Sequence, residues 1–127
     1  MNQSYLEHAN ISVSNPDLSA QRLCKLFDWK VRWSGPSMDD GYTVHVGGTQ
    51  SYVALYNSDK MHRENQSNHT HLVNLNHIAV VVADLEKAEK RALEIGLKPF
   101  NFRNYKPGRS FYLLDEDGLE IEVVCYE

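Results

Sequence analysis

The chain lacks the features that would tie it to nucleic acid, a membrane or an oxidising compartment. Its 13 Lys and Arg are outnumbered by 17 Asp and Glu, for a net charge of −4. The basic residues form no cluster on any periodic segment, so a nucleic-acid or anionic-membrane partner is not expected. No run approaches the roughly 18–20 apolar residues of a membrane helix. The first residues, Met1 to Tyr5, have neither the charged nor the apolar part of a secretory leader. There are only two cysteines, Cys24 and Cys125, far apart and each inside an apolar run. They read as reduced core thiols of a cytoplasmic protein, not as a disulfide or a metal knuckle.

What is present suffices for a packed interior. With 127 residues and 42% apolar side chains, the chain makes one domain or two half-size modules sharing a core. Leu6 to Ser14 alternates, with Ala9, Ile11 and Val13 on one face and His8, Asn10, Ser12 and Ser14 on the other. Asn15-Pro16-Asp17 is a helix start: Asn caps, Pro suits the first helical position, and Asp favours the positive end of the dipole. Ala20, Leu23, Cys24 and Phe27 follow at helical spacing. Trp29 to Trp33 reads as a strand closed by Ser34-Gly35-Pro36. Gly41–Val46 and Ser51–Tyr56 read as two more strands. Residues 57–73 are polar and aperiodic, a linker that includes His62, His69 and His71 and reads as a solvated loop.

The plan then repeats. Asn76 to Val82 is a strand, Asp84 caps a helix, and Gly96 ends it. Pro107-Gly108 turns, Arg109 to Leu114 is a strand, and Asp117-Gly118 is a hairpin turn. A closing strand follows, with Ile121 and Val123 on one face and Glu120 and Glu122 on the other. Each half is β-α-β-β-β. His77 stands 69 residues after His8, and Glu122 stands 68 after Ala54. Gly41–Val46 lies over Arg109–Leu114 at the same offset of 68.

A tandem βαβββ module with His near the start of each first strand and Glu on the last resembles the vicinal oxygen chelate superfamily, which includes glyoxalase I, extradiol dioxygenases, fosfomycin-resistance transferases and bleomycin-resistance proteins. The residues that carry the resemblance are Leu6-Glu7-His8, Asn76-His77 through Asp84-Leu85, and Asp115 through Val123. It implies an α+β fold in which modules 5–56 and 74–127 each give a curved mixed sheet with its helix outside, together a cup. It also implies metal ligands from the first and last strand of each module, here His8, His77 and Glu122, with Ala54 at the fourth place.

Two imidazoles and a carboxylate leave coordination positions open on a divalent ion, and Fe, Mn, Ni and Zn all tolerate such a set. One His on a strand is usually a structural residue; the coincidence of two at matching places in the repeat is what points to a ligand. Glu120 shares a face with Glu122 and, with His45, is a candidate for proton transfer. Asn10, Tyr52, Arg109 and Tyr112 are candidates to line a substrate pocket. The resemblance thus implies a metal-dependent enzyme acting on a small oxygen-rich molecule by lyase, isomerase or dioxygenase chemistry, and a homodimer. The alternative is a metal-free protein that binds a small molecule, as the bleomycin-resistance branch does.

Overall fold

A computed structural model describes residues 2–63 and 69–126. The chain divides into two compact units, Met1–His62 and Arg63–Glu127. In the first unit, β1 (His8–Ser12) leads to α1 (Pro16–Phe27), then β2 (Lys30–Ser37), β3 (Gly41–Gly47) and β4 (Tyr52–Asn57). The second repeats the order with β5 (Ile78–Val81), α2 (Leu85–Glu94), β6 (Phe100–Tyr105), β7 (Gly108–Leu114) and β8 (Glu120–Tyr126). The sheets have matching topologies, β1-β4-β3-β2 and β5-β8-β7-β6. In each, the first strand runs parallel to the last and the other pairs are antiparallel. A parallel pair needs a crossover, and the helix of each unit supplies it.

Both helices begin as the sequence predicts. Asn15 accepts from the Leu18 amide and Pro16 is the first helical residue; Asp84 accepts from the Lys87 amide. Each side chain satisfies one of the amides that a helix start leaves unpaired. Asp84→Ala is expected to cost about 1 kcal/mol, read as a lower urea midpoint at unchanged slope. α1 packs on β3 and β4, and buries Ala20, Leu23 and Leu26 against Val44, Val46, Val53 and Leu55. α2 packs on β7 and β8, and buries Leu85, Ala88 and Ala92 near Phe111, Leu113, Ile121 and Val123.

Two expectations about the strands are corrected. First, β2 does not close at Ser34 but continues through Pro36, which faces Tyr42. A proline that cannot donate is tolerated there because β2 is an edge strand. Second, β3 and β7 correspond at an offset one residue shorter than 68. The registers pair His45 with Ala54 and Tyr112 with Glu122. His45 therefore takes the place of Tyr112, and Val44 that of Phe111. A slip of one residue exchanges the faces of a strand. The observed burial of Val44 and Val46 matches that of Phe111 and Leu113 only in this register.

Candidate functional site

In each unit one face of the sheet is covered by its helix, and the other carries the candidate residues apart from Arg109. On β8, Glu120 and Glu122 project away from Ile121 and Val123, which are 2% and 0% exposed. Tyr112 pairs with Glu122 from β7, and Ala79 pairs with it from β5. His77 lies just before β5 and brings its Nε2 to 3.2 Å from Glu122 Oε1. Its Nδ1 lies 2.7 Å from Asn76 Oδ1. Tyr112 meets the His77 ring edge-on at 5.6 Å. Burial, and then the negative charge of Glu122, push the Tyr112 hydroxyl above the usual phenol range.

The His77 contacts carry a chemical message. A neutral imidazole has one N–H and one lone pair, yet both of its nitrogens face acceptor oxygens. An imidazolium donating from both nitrogens satisfies these contacts, and so would a divalent cation held between Nε2 and the Glu122 carboxylate with Nδ1–H donated to Asn76. Ligands about 2.1 Å from one ion, at right angles or tetrahedrally, stand about 3.0–3.4 Å apart. The 3.2 Å between Nε2 and Oε1 fits that span. Among the described residues, no group of three His, Cys, Asp or Glu side chains is placed to hold a metal ion. The second unit therefore brings together two of the three residues implied as ligands, while His8 belongs to the first.

The first unit presents the duplicate of this face. His8 pairs with Tyr52 and Asn10 with Ala54, just as Ala79 pairs with Glu122. Ala54, 1% exposed, thus occupies the position of Glu122. The surrounding side chains form an aromatic array: Tyr52 stacks on His8 and on His45 with centroids 4.7 Å away in each case, and Trp33 tilts against His45 at 5.3 Å. Asn10 is exposed at the edge of this face. A β-bulge between Val31 and Trp33 adds Trp33 and Arg32, whose guanidinium carbon lies 4.6 Å from the centre of the Tyr52 ring. A bulge re-aims side chains in this way, and simple alternation does not foresee it.

Desolvation, reinforced by the positive charges of His8 and Arg32 and opposed by Glu7, lowers the His45 pKa. In the unfolded chain an imidazole titrates near 6.5. The unfolded state therefore binds a proton first as pH falls, and the contribution from neutral His45 is lost on acidification from about 6.5 through its lowered value. His45→Gln is expected to flatten the dependence of the melting temperature on pH in that window.

Two residues are placed otherwise than the sequence suggested. Arg109 shares the helix-covered face of β7 with Phe111 and Leu113, and bonds Glu86 of α2 at 2.6 and 3.4 Å. It is held away from the face that carries Tyr112 and Glu122. His69, read from sequence as part of a solvated loop, instead brings Nε2 to 3.0 Å from Glu120 Oε1. Glu120 is mostly buried beneath it. Nothing in the local pattern signalled this pair, because 51 residues separate its members.

Comparison with known proteins agrees with this architecture. The family model described as Glyoxalase/Bleomycin resistance protein/Dioxygenase superfamily matches residues 5–123, and the chain belongs to that superfamily. The fold is similar to that of a glyoxylase/bleomycin resistance protein/dioxygenase domain from Frankia sp. EAN1pec, with TM-score 0.82 and 18% identity over 99% of this chain and 100% of that one. It is also similar to the fosfomycin resistance protein FosX from Listeria monocytogenes, with TM-score 0.74 and 17% identity over 99% and 96% of the two chains. FosX from the same organism has been solved complexed with Mn(II) and sulfate, and this chain matches that structure with TM-score 0.73 and 16% identity over 99% and 95% of the two chains. At these identities the likeness concerns the fold. No curated protein sequence matches significantly.

Proposed function

We propose that the protein is a divalent-metal-dependent enzyme acting on a small oxygen-rich molecule, with His8, His77 and Glu122 as metal ligands. The observation that carries this reading is the His77 Nε2 and Glu122 Oε1 pair, 3.2 Å apart, with Asn76 at the opposite ring nitrogen. FosX, a relative in fold, has been solved with Mn(II). When bound, such an ion with open positions supplies Lewis-acid stabilisation to negative charge on substrate oxygen. The chain's own residues do the rest. Glu120 would take a proton from substrate and pass it to the His69 imidazole, a role supported by its contact with that ring. Tyr112, held protonated by burial and by Glu122, donates its O–H to that carboxylate and would line the substrate pocket beside it. His45, whose pKa desolvation lowers, is the second candidate for proton transfer.

A second reading, a metal-free small-molecule binder, is favoured by one observation. Ala54 stands where Glu122 stands in the duplicate, beside a stacked surface of His8, His45, Tyr52 and Trp33 that suits a planar ligand. Exhaustive treatment with chelator separates the two. A metal that binds only the folded state adds about 2.7 kcal/mol at a hundred times its Kd, so the enzyme reading expects a lower melting temperature after chelation and recovery on adding Mn(II), Fe(II), Ni(II) or Zn(II). A melting temperature indifferent to chelator and to all four metals favours the binder.

A further inference from the structure

The two units share one aromatic pair and differ in the charge beside it. In each, a ring on the third strand faces a ring on the second across the register: His45 faces Trp33, and Tyr112 faces Phe100. The ring centres stand 5.3 and 6.0 Å apart. On the last strand, Tyr52 and Ala54 of β4 occupy the places of Glu120 and Glu122 of β8. The open face of the second sheet is thus acidic, whereas β4 contributes no carboxylate.

Arg32 supplies a cation instead. The β-bulge in β2 turns it onto the same face as Trp33, and its guanidinium carbon lies 4.6 Å from the centre of the Tyr52 ring. Arg63 and Arg109 close on Asp117 and Glu86, but Arg32 makes no ion pair and no hydrogen bond among the described residues. Glu7 is occupied elsewhere: its Oε1 lies 3.0 Å from His8 Nδ1 and accepts from the Tyr52 hydroxyl at 3.4 Å. The His45 ring feels the positive charge of Arg32 more strongly than the negative charge of Glu7. Beside this cation Trp33 is 51% exposed.

We propose that this face of the first unit binds an aromatic carboxylate, whose ring stacks on Trp33 and His45 and whose carboxylate pairs with Arg32. A carboxylate conjugated to an aromatic ring lies in the ring plane, and the planar fork of arginine meets it with two parallel N–H···O bonds. One flat anion therefore engages both the exposed indole and the unpaired guanidinium; an uncharged ring or a tetrahedral anion engages only one of them well. The cation–π contact with Tyr52 holds the guanidinium over the sheet before the ligand arrives. The inference rests on the stacked surface of the metal-free reading, without requiring that metal be absent.

The chain has two tryptophans, Trp29 and Trp33. A nitrogen-15 NMR spectrum therefore separates the site from a control, because Trp29 packs on Phe27 instead. Trp29→Phe assigns the two indole signals. β-Naphthoate added to chelator-treated protein should shift the Trp33 signal saturably and leave Trp29 in place. β-Naphthamide, equally flat but uncharged, should bind about tenfold more weakly, as expected when a hydrogen bond to a charged partner is lost. Arg32→Gln should weaken naphthoate by about the same factor and leave the amide unchanged. Arg32→Lys, which keeps the charge without the fork, should fall between. Trp33→Leu, followed by titration calorimetry, should weaken both probes alike. Arg32 and Trp33 are exposed, so all these variants should melt as wild type does.

Equal binding of the two probes, or an Arg32→Gln variant that holds naphthoate as tightly as wild type, overturns the inference and leaves the planar-ligand reading standing. If neither probe moves Trp33 up to its solubility limit, both fall. Naphthoate binding that appears only with added Zn(II) and survives Arg32→Gln would put the carboxylate on a metal, and so overturn the inference in favour of the metal-dependent reading.

Discussion

Glu122→Gln is expected to lower divalent-metal affinity by more than about 100-fold, beyond the roughly 10–100-fold that follows loss of an outer hydrogen-bond partner. The substitution keeps the volume and one oxygen of the side chain but removes its charge, and a neutral amide is a far weaker ligand for Mn, Fe, Ni or Zn than a carboxylate. The backbone register that places it, Tyr112 on one side and Ala79 on the other, does not depend on that charge. The variant should therefore fold, with a metal-free melting temperature close to that of wild type. Titration calorimetry with each metal measures the first quantity, and a thermal melt in chelator the second. An equal fall in both would identify Glu122 as a structural residue.

The second large effect belongs to the core. Phe111 is fully buried on the helix-covered face of β7, with its ring 5.8 Å from that of Phe102. Phe111→Ala removes the aromatic bulk and leaves a cavity that a packed sheet and helix fill only partly, at a cost of about 3–5 kcal/mol. Small domains hold about 5–15 kcal/mol in all, so the variant should be close to the limit of folding. The duplicate position is Val44, also buried. Val44→Ala deletes fewer atoms and should cost distinctly less. Urea denaturation of both variants checks the order; a reversed order would mean that the sheet and helix collapse onto the Phe111 cavity more completely than onto that at Val44.

Much of this architecture is legible in the sequence because it is written in period and punctuation. Alternation placed Ile121 and Val123 opposite Glu120 and Glu122, the Asn-Pro-Asp and Asp84 signals placed both helix starts, and the recurrence of His8 in His77 revealed the duplication. These are local patterns, and local patterns carry over to structure when packing agrees with them. The failures are cases where a distant partner decides. The bulge that turns Arg32 and Trp33 to the same face breaks the period without leaving a glycine to mark it. The offset of β3 against β7 differs by one residue from that of their neighbours, and only the pairing of Tyr112 with Glu122 and His45 with Ala54 reveals it. Arg109 shares its parity with Phe111, and its position beside a turn gave no hint of the Glu86 carboxylate waiting on α2. His69 reaches Glu120 across a separation that no window of sequence spans.

The contacts of Glu7 with His8 and of Asn76 with His77 join sequence neighbours, and they escape the alternation for a different reason. A polar residue before a strand has no preferred direction in the alternation, and only the ragged strand start lets it turn back on its neighbour.

The central claim, that Glu122 and the two matched histidines hold a divalent metal, is tested most directly by elemental analysis of untagged protein, wild type beside Glu122→Gln. Near-stoichiometric Fe, Mn, Ni or Zn in the wild type, falling to background in the variant, is the predicted result. Equal metal in the two proteins, or a wild type that is empty and takes up none of the four on titration, would contradict it.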